Sequence, residues 1–553
     1  MLKHILSIAA VTAIIALTGS RADACTNLIA GKNATVDGST LITYAADSHT
    51  LFGDLQILPA ADHKPGDMRK IYDWDTGKYH GEIPEVAHTY HVVGNVNEHQ
   101  LTICETTFGG REELADTTPE AIIDYGSLIY ITLQRARTAR EAIDVMTDLV
   151  ARYGYNSEGE SFSIGDPNEV WILEMMGKAG REKGAVWVAM RIPDDCISGH
   201  ANQSRIYKFP LKDKENCRYS KDVISFARKM GLYSGKDEDF EFSRVYAPSD
   251  FGSKRGCDAR VWSYFQRYAD GMDAYLPFVS GHEDGPVLPL WVKPNRKVSC
   301  RDLQAMMRDH FEGTPFDMTQ DPGAKNYYGV PYRWRPMEFK VDGKTYSQER
   351  AIATQQTGWV MVSQMRGWMP NEVGCINWFG VDDANTALFV PMYCCITEAP
   401  ESYRQGKADL YTFDFDAAFW VNNLIANQCY NRYSQMIPDV RRVQNALEDK
   451  FAADVALVDS KAAAILKNDR RDAIEFLTNF SANTAQHATA SYQDLAKYLF
   501  VKYLDGNIKK EKDGKFQRNE AGNPVQPVFG GYTQDYYNTI VEGSGDRLRV
   551  TDK

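Results

Sequence analysis

After residue 25 the chain opens with short runs of apolar and β-branched residues set apart by turn residues, the pattern of a strand-rich start. Residues 26–30 and 40–44 read as two strands, with Gly31-Lys32-Asn33 and the hairpin-type pair Asp37-Gly38 between them. Asp47 and His49 follow the second strand, where an antiparallel return brings the chain back towards Cys25. Residues 60–85 are polar and turn-rich (Lys64-Pro65-Gly66-Asp67, Asp75-Thr76-Gly77-Lys78) and read as a surface loop. Strands resume over 88–93 and 100–104, and Glu105-Thr106-Thr107-Phe108-Gly109-Gly110 reads as a polar, glycine-ended strand exit.

Three- and four-residue spacing then takes over. Thr118-Pro119-Glu120 predicts a helix start, with Ile122, Tyr125, Leu128, Ile129 and Leu133 on one face. A second helix is expected from Thr138, with Ala142, Val145, Met146 and Leu149 turned inward. Strands follow at 161–164, 169–175 and 185–191, and again at 357–365, 373–380 and 386–395. The longest helical pattern covers 439–466, where Val440, Val443, Leu447, Phe451, Val455, Val458, Ala462 and Ile465 recur. Residues 470–504 continue it, and the charged, glycine-broken stretch 505–525 reads as a loop or irregular hairpin. Strands, two helices, then strands again predict an α+β fold, a sheet layer covered by helices.

The stretch before residue 25 has another character. A basic start (Lys3, His4) precedes a 13-residue apolar run, Ile5 to Leu17, and the small-x-small triplet Ala22-Asp23-Ala24. This is the layout of a cleaved secretory signal over residues 1–24. The run is short of the ~20 apolar residues a membrane-spanning helix needs. Cleavage after Ala24 makes Cys25 the new N-terminus, and the expected location is periplasmic or secreted.

An N-terminal cysteine holds a thiol and a free α-amine on one residue. The amine's ordinary pKa of about 7.7–8.0 leaves part of it neutral near pH 7, so nucleophile and base come from a single position. Two other readings compete. Cys25 is a small residue tolerated at the cleavage site or half of a disulfide, or it is the lipid-bearing cysteine of an anchored binding protein. Ala22 and Asp23 stand where a lipoprotein signal wants an aliphatic and a small uncharged residue, which counts against the anchor.

Composition narrows the field further. The chain has 553 residues, 43% hydrophobic and 25% charged, with a formal net charge of −12. Losing Lys3, Arg21 and Asp23, a net +1, leaves −13 on the processed chain. That balance speaks against nucleic-acid partners and anionic membrane surfaces. Of ten cysteines, nine remain beside Cys25, an odd number, and no spacing matches a zinc-ligand pair. His88 and His91 fall on opposite sides of a strand, so neither metal nor cofactor is expected.

Acyl transfer also needs oxyanion donors and a group to orient the nucleophile. Three stretches hold such residues: Asp47, the polar run His200-Ala201-Asn202-Gln203-Ser204-Arg205, and Cys257-Asp258-Ala259-Arg260-Val261-Trp262 ahead of an apolar helix. A carboxylate can orient an amine, an asparagine amide can donate to a tetrahedral oxygen, and an arginine favours a thiolate. By residue type alone, and taken singly, a turn cap for Asp47, a loop amide for Asn202 and a surface ion pair for Arg260 are the favoured readings.

Residues 25–54, beginning Cys25-Thr26-Asn27-Leu28-Ile29-Ala30-Gly31-Lys32, together with Asn97-Glu98-His99-Gln100-Leu101, Glu105-Thr106-Thr107-Phe108-Gly109-Gly110, His200-Ala201-Asn202-Gln203, Arg260-Val261-Trp262 and Trp378-Phe379-Gly380-Val381-Asp382-Asp383, resemble the bacterial cysteine-nucleophile dipeptidases among the N-terminal-nucleophile hydrolases. The likeness runs over roughly 25–430, and the wider superfamily includes bile-salt hydrolases and penicillin V acylases. It implies a four-layer αββα sandwich over 25–430 with a mostly helical C-terminal extension at 431–553. Carried over by position, Cys25 is the nucleophile with its amine as base, Asp47 orients them, Asn202 contributes to the oxyanion hole and Arg260 supports the site. Tyr44, Asn97, Thr106 and Thr107 fall at candidate substrate-binding positions. Many relatives carry an arginine where this chain has Tyr44, so substrate preference is expected to differ. The resulting expectation is an exported peptidase for dipeptides or short peptides. An N-acyl amide hydrolase is the alternative enzyme, and a lipid-anchored binding protein the alternative outside enzymes. Side-chain preference, disulfide pattern and oligomeric state are not legible in the sequence.

Overall fold

A computed structural model describes residues 25–115, 117–282, 285–325 and 328–551. The export segment expected at 1–24 lies outside the described residues. In chain order the elements that build the site begin with β1 (Asn27–Ala30), β2 (Thr40–Asp47), β3 (Thr102–Gly109), α1 (Tyr125–Leu133) and α2 (Ala139–Tyr153). They continue with β4 (Gly159–Gly165), β5 (Val170–Gly177), β6 (Ala185–Ile192), β7 (Ile197–His200) and α3 (Ala259–Tyr268). The last are β8 (Thr357–Met365), β9 (Cys375–Val381), β10 (Val390–Tyr393), α4 (Ala418–Asn431), α5 (Tyr433–Leu466) and α6 (Arg470–Lys502).

Two antiparallel sheets carry the core. The first runs Trp291–Val292, β7, β1, β2, β8, β9, β10; the second contains β6, β5, β4 and β3 in that order, extended by short edge pieces. They face each other: the Thr102 and Ser363 hydroxyls meet at 2.6 Å across the gap. A Cβ on Gly165 would lie 2.6 Å from Ile42 Cδ1, so the sheets approach closely here and a larger residue would push that methyl aside.

Helices cover both outer faces. Leu128, Leu133, Ile143 and Met146 of α1 and α2 join Ile103, Phe162, Trp171 and Leu173 in one core cluster. Against the first sheet, α5 and α6 contribute Leu447, Phe451, Leu477, Leu495 and Leu499 to the other cluster, with Phe379 and Val390. Two buried acids of α5 tie it down. Glu448 accepts from Arg308 at 2.5 Å and from the Phe389 backbone N–H at 3.0 Å, and Asp459 accepts from Tyr393 at 2.7 Å. The boundary expected at residue 430 therefore falls between two helices that both pack on the same sheet. Among the described residues no helix is long and apolar enough to cross a membrane, and all ten cysteines are unpaired thiols.

Three local expectations change. Residues 60–85 are not a plain loop: Met68–Tyr72 and Tyr79–Pro84 pair as a hairpin, because Ile71 and Ile83 point into the α1/α2 core while their neighbours stay outside. The first helix starts at Tyr125 rather than near Thr118, since Asp124 caps it by accepting from the Ser127 backbone N–H at 2.7 Å. Glu105 to Phe108 continue β3 instead of leaving the sheet. Thr138 caps α2 as expected.

Candidate active site

Cys25 stands just ahead of β1, where Thr26 bridges to Ala45 of β2, and it is buried to 8% exposure. Arg260, in the first turn of α3 and 1% exposed, holds this start of the chain. Its Nη1 donates to the Cys25 carbonyl and to Thr26 Oγ1, each at 2.7 Å. Its Nη2 donates to the Ala201 carbonyl at 3.0 Å and to Asn202 Oδ1 at 2.9 Å, and Nε donates to the Gly256 carbonyl at 2.8 Å. A guanidinium has five N–H groups, and here all five have an acceptor. Arg260 is thus a clamp between three chain segments rather than a hand held out to a ligand. Burial and the neighbouring Arg350 lower its pKa to about 10.

Asn202 follows β7 in the left-handed region, φ 62°, which asparagine adopts more readily than most residues. One amide N–H donates to the Thr107 carbonyl at 2.7 Å; an amide nitrogen carries two.

Asp47 closes β2 opposite Thr357 of β8. Its carboxylate accepts from Arg350 Nη2 at 2.5 Å and from Thr357 Oγ1 at 2.6 Å. Burial raises its pKa, and Arg350 and Thr357 oppose that rise. Asp47 and Cys25 are close enough to act on each other's charge. Burial first, then Glu105 and Asp47, push the Cys25 thiol well up, while the Asp47 backbone N–H and Tyr44 favour the thiolate.

Tyr44 and Glu105 complete the surroundings of the sulfur. Cys25 Sγ lies 3.7 Å from Glu105 Oε1 and 4.0 Å from the Tyr44 hydroxyl, which itself donates to Glu105 Oε1 at 2.5 Å. Beyond Glu105 stands Glu160 of β4, which accepts from Thr107 Oγ1 at 2.9 Å.

The structure therefore brings Cys25, Tyr44, Asp47, Asn202, Arg260 and Thr107 together. It does not bring Asn97, whose amide donates to the Leu133 and Ala136 carbonyls at 2.7 and 2.8 Å and braces a turn. Thr106 is one residue off: its hydroxyl meets His200 Nδ1 at 2.7 Å inside the sandwich. The two histidines at 88 and 91 part company, one beside Asp62 at 2.8 Å and the other on the Ile396 carbonyl at 2.8 Å. Sequence reasoning missed Glu105, Glu160, Arg350 and Thr357. An acid inside a strand was the one available signal for Glu105; Arg350 sits in a polar stretch that offers none.

The family model for peptidase family C69 matches residues 24–446. A probable dipeptidase of Latilactobacillus sakei is 26% identical over 500 residues, covering 86% of this chain and 94% of its own. A probable dipeptidase of Salmonella dublin is 24% identical, covering 67% and 81%. Dipeptidase A of Lactobacillus helveticus is 25% identical, covering 77% and 84%. This chain belongs to peptidase family C69, a family of cysteine-nucleophile dipeptidases.

Proposed function

We propose that this member of peptidase family C69 is an exported cysteine peptidase that hydrolyses dipeptides through an acyl-thioester on Cys25, with the Cys25 α-amine as base. One observation carries the reading: Arg260 fastens Cys25 to Asn202 by donating to both. The two facing sheets with helices on each outer side, and Cys25 at the head of the first strand, support an N-terminal-nucleophile architecture.

The resting thiol keeps its proton, because burial and two nearby carboxyls oppose the thiolate. Deprotonation then has to be coupled to attack, and an α-amine titrating near neutrality suits that task. The sulfur adds to the scissile carbonyl carbon, and the developing oxyanion is met by the second Asn202 N–H and by backbone N–H groups. The protonated amine hands its proton to the leaving amine. Water, activated by the same amine, then cleaves the thioester. Asp47, fixed between Arg350 and Thr357, orients the N-terminus.

The test compares chains that begin at Cys25 with chains that begin at Ala24, on a dipeptide panel. Turnover is expected only when Cys25 is first, and Cys25→Ser is expected to fold normally and turn over almost nothing. Equal rates from the two starts would refute the amine's role. N-terminal sequencing of the exported protein checks the cleavage after Ala24.

A further inference from the structure

The Glu105–Glu160 pair beside the sulfur is the group that the mechanism above leaves unused. Both side chains are buried, at 2% and 1% exposure. Glu105 and Glu160 hydrogen-bond each other, no other protein group donates to Glu105 Oε2 or Glu160 Oε2, and among the described residues no lysine or arginine forms an ion pair with either acid. The charges around them are acidic too, Asp75 on one side and Glu158 on the other. Burying two carboxyls without a counter-charge is costly. The protein answers it by letting the pair share a proton: burial raises Glu105 to about 7 and Glu160 well above its usual value. Tyr44, donating at 2.5 Å, holds Glu105 in place.

We propose that Glu105, backed by Glu160, is the specificity residue that receives the free α-ammonium of the substrate's first residue. This rests on the dipeptide-hydrolase reading above and names the substrate feature that site selects. The geometry closes. An ammonium sits ~2.8 Å from a carboxylate oxygen, its nitrogen is about 2.5 Å from its own residue's carbonyl carbon, and a thiolate attacks that carbon from ~3.2 Å. Those three lengths bridge the 3.7 Å between Glu105 Oε1 and Cys25 Sγ without strain. An N-acyl substrate would set an amide or apolar acyl group against the two acids and leave them uncompensated. A docked ammonium has a second effect. Glu105 opposes the Cys25 thiolate by charge, and a cation on Glu105 removes that opposition, so the correct substrate helps activate the sulfur that attacks it.

The experiment uses the processed chain, Glu105→Gln and Glu160→Gln variants of it, and two probes: alanyl-alanine and N-acetyl-alanyl-alanine. Thermal melting confirms that each variant folds. The unsubstituted enzyme is expected to prefer the free dipeptide strongly. Glu105→Gln is expected to cut the ratio of kcat/KM for the free over the acetylated dipeptide about 10- to 100-fold, the scale of a lost charge-assisted hydrogen bond. Calorimetry in a non-reacting Cys25→Ala background reads binding alone, where Glu105→Gln is expected to weaken the free dipeptide by the same factor. A parallel fall for both probes, or acetylated and free dipeptides binding Cys25→Ala equally well, overturns the assignment. So does activity abolished by EDTA and restored by a divalent cation, which would give the acids to a metal. If the intact enzyme cleaves no dipeptide, the hydrolase reading falls by itself, and the calorimetry still decides whether an ammonium binds.

Discussion

Arg260 Nη1 donates to the Cys25 carbonyl oxygen at 2.7 Å, joining the first turn of α3 to the first described residue of the chain. The same guanidinium reaches Thr26, Ala201, Asn202 and Gly256, so one side chain sets the distance between the thiol's backbone and the Asn202 amide. Lysine offers three N–H groups from a single point and cannot reproduce a five-acceptor fork. Arg260→Lys is therefore expected to fold but to lose activity by about 100-fold, as small misplacements in an active site do. Arg260→Met leaves buried acceptors without donors and is expected to cost about 3 kcal/mol or more. Activity at saturating dipeptide and urea melts check the two claims; unchanged kcat in Arg260→Lys would remove the clamp from the account.

Asp47 and Arg350 form a buried pair at 2.5 Å. Removing one partner strands the other's charge, a loss of about 3–5 kcal/mol, whereas removing both costs much less than the sum. Asp47→Asn and Arg350→Met are accordingly each expected to lower the urea midpoint, and the double variant to fall less than additively. A double-mutant cycle measures the coupling. Additive losses would mean that the pair is not a unit, and that Asp47 is held mainly by Thr357.

Much of this site was legible because its parts are chemically conspicuous. Cys25 follows the small-x-small triplet Ala22-Asp23-Ala24, Asp47 ends a strand that must return to it, and Asn202 and Arg260 lie in short polar runs at the edges of apolar elements. Glu105 and Glu160 were not legible as a pair. They meet only because β3 and β4 are antiparallel neighbours in a register that sets Thr107 against Glu160, and nothing local encodes that register. The hairpin at Met68–Tyr72 and Tyr79–Pro84 hid for a related reason: its buried positions, Ile71 and Ile83, are few among polar residues. Asn97 was misplaced for the opposite reason. It lies in one of the runs on which the family resemblance rests, yet its amide braces a turn under α1.

The C-terminal helices are structural partners of the first sheet, not an appendage. Without α5 and α6, Phe389, Val390 and Phe379 lose their cover, and Arg308 and Arg366 lose the Glu448 and Asp459 carboxylates that neutralise them. A chain ended after residue 431 is expected to be insoluble or molten, with dye-binding apolar surface and no cooperative melt. A cooperative, active fragment would show instead that the sheet closes without these helices.

His200 gives the protein an acid limit. Its ring is fully buried between Thr106 Oγ1 and Ser163 Oγ, each at 2.7 Å, tying the two sheets together. Burial, aided by the nearby Arg205 charge, lowers its pKa from 6.5 to about 3. Between those values the unfolded chain binds a proton that the folded chain refuses, so stability rises with pH across the window and is lost as pH falls, by about 1.4 kcal/mol per pH unit. Above pH 6.5 the contribution is fully present. His200→Gln removes this titration and two buried hydrogen bonds, so it is expected to cost about 1–3 kcal/mol at pH 7.5. That deficit should shrink steadily as both proteins are compared at pH 6, 5 and 4, because only the His200 protein suffers the proton's preference for the unfolded state. Carboxyls that titrate in the same range, such as Glu174 with its pKa raised by burial to about 7, are present in both chains and cancel in the difference. Urea melts at each pH give the comparison, and a deficit that stays constant or widens towards pH 4 would mean that the ring carries its proton inside the sandwich.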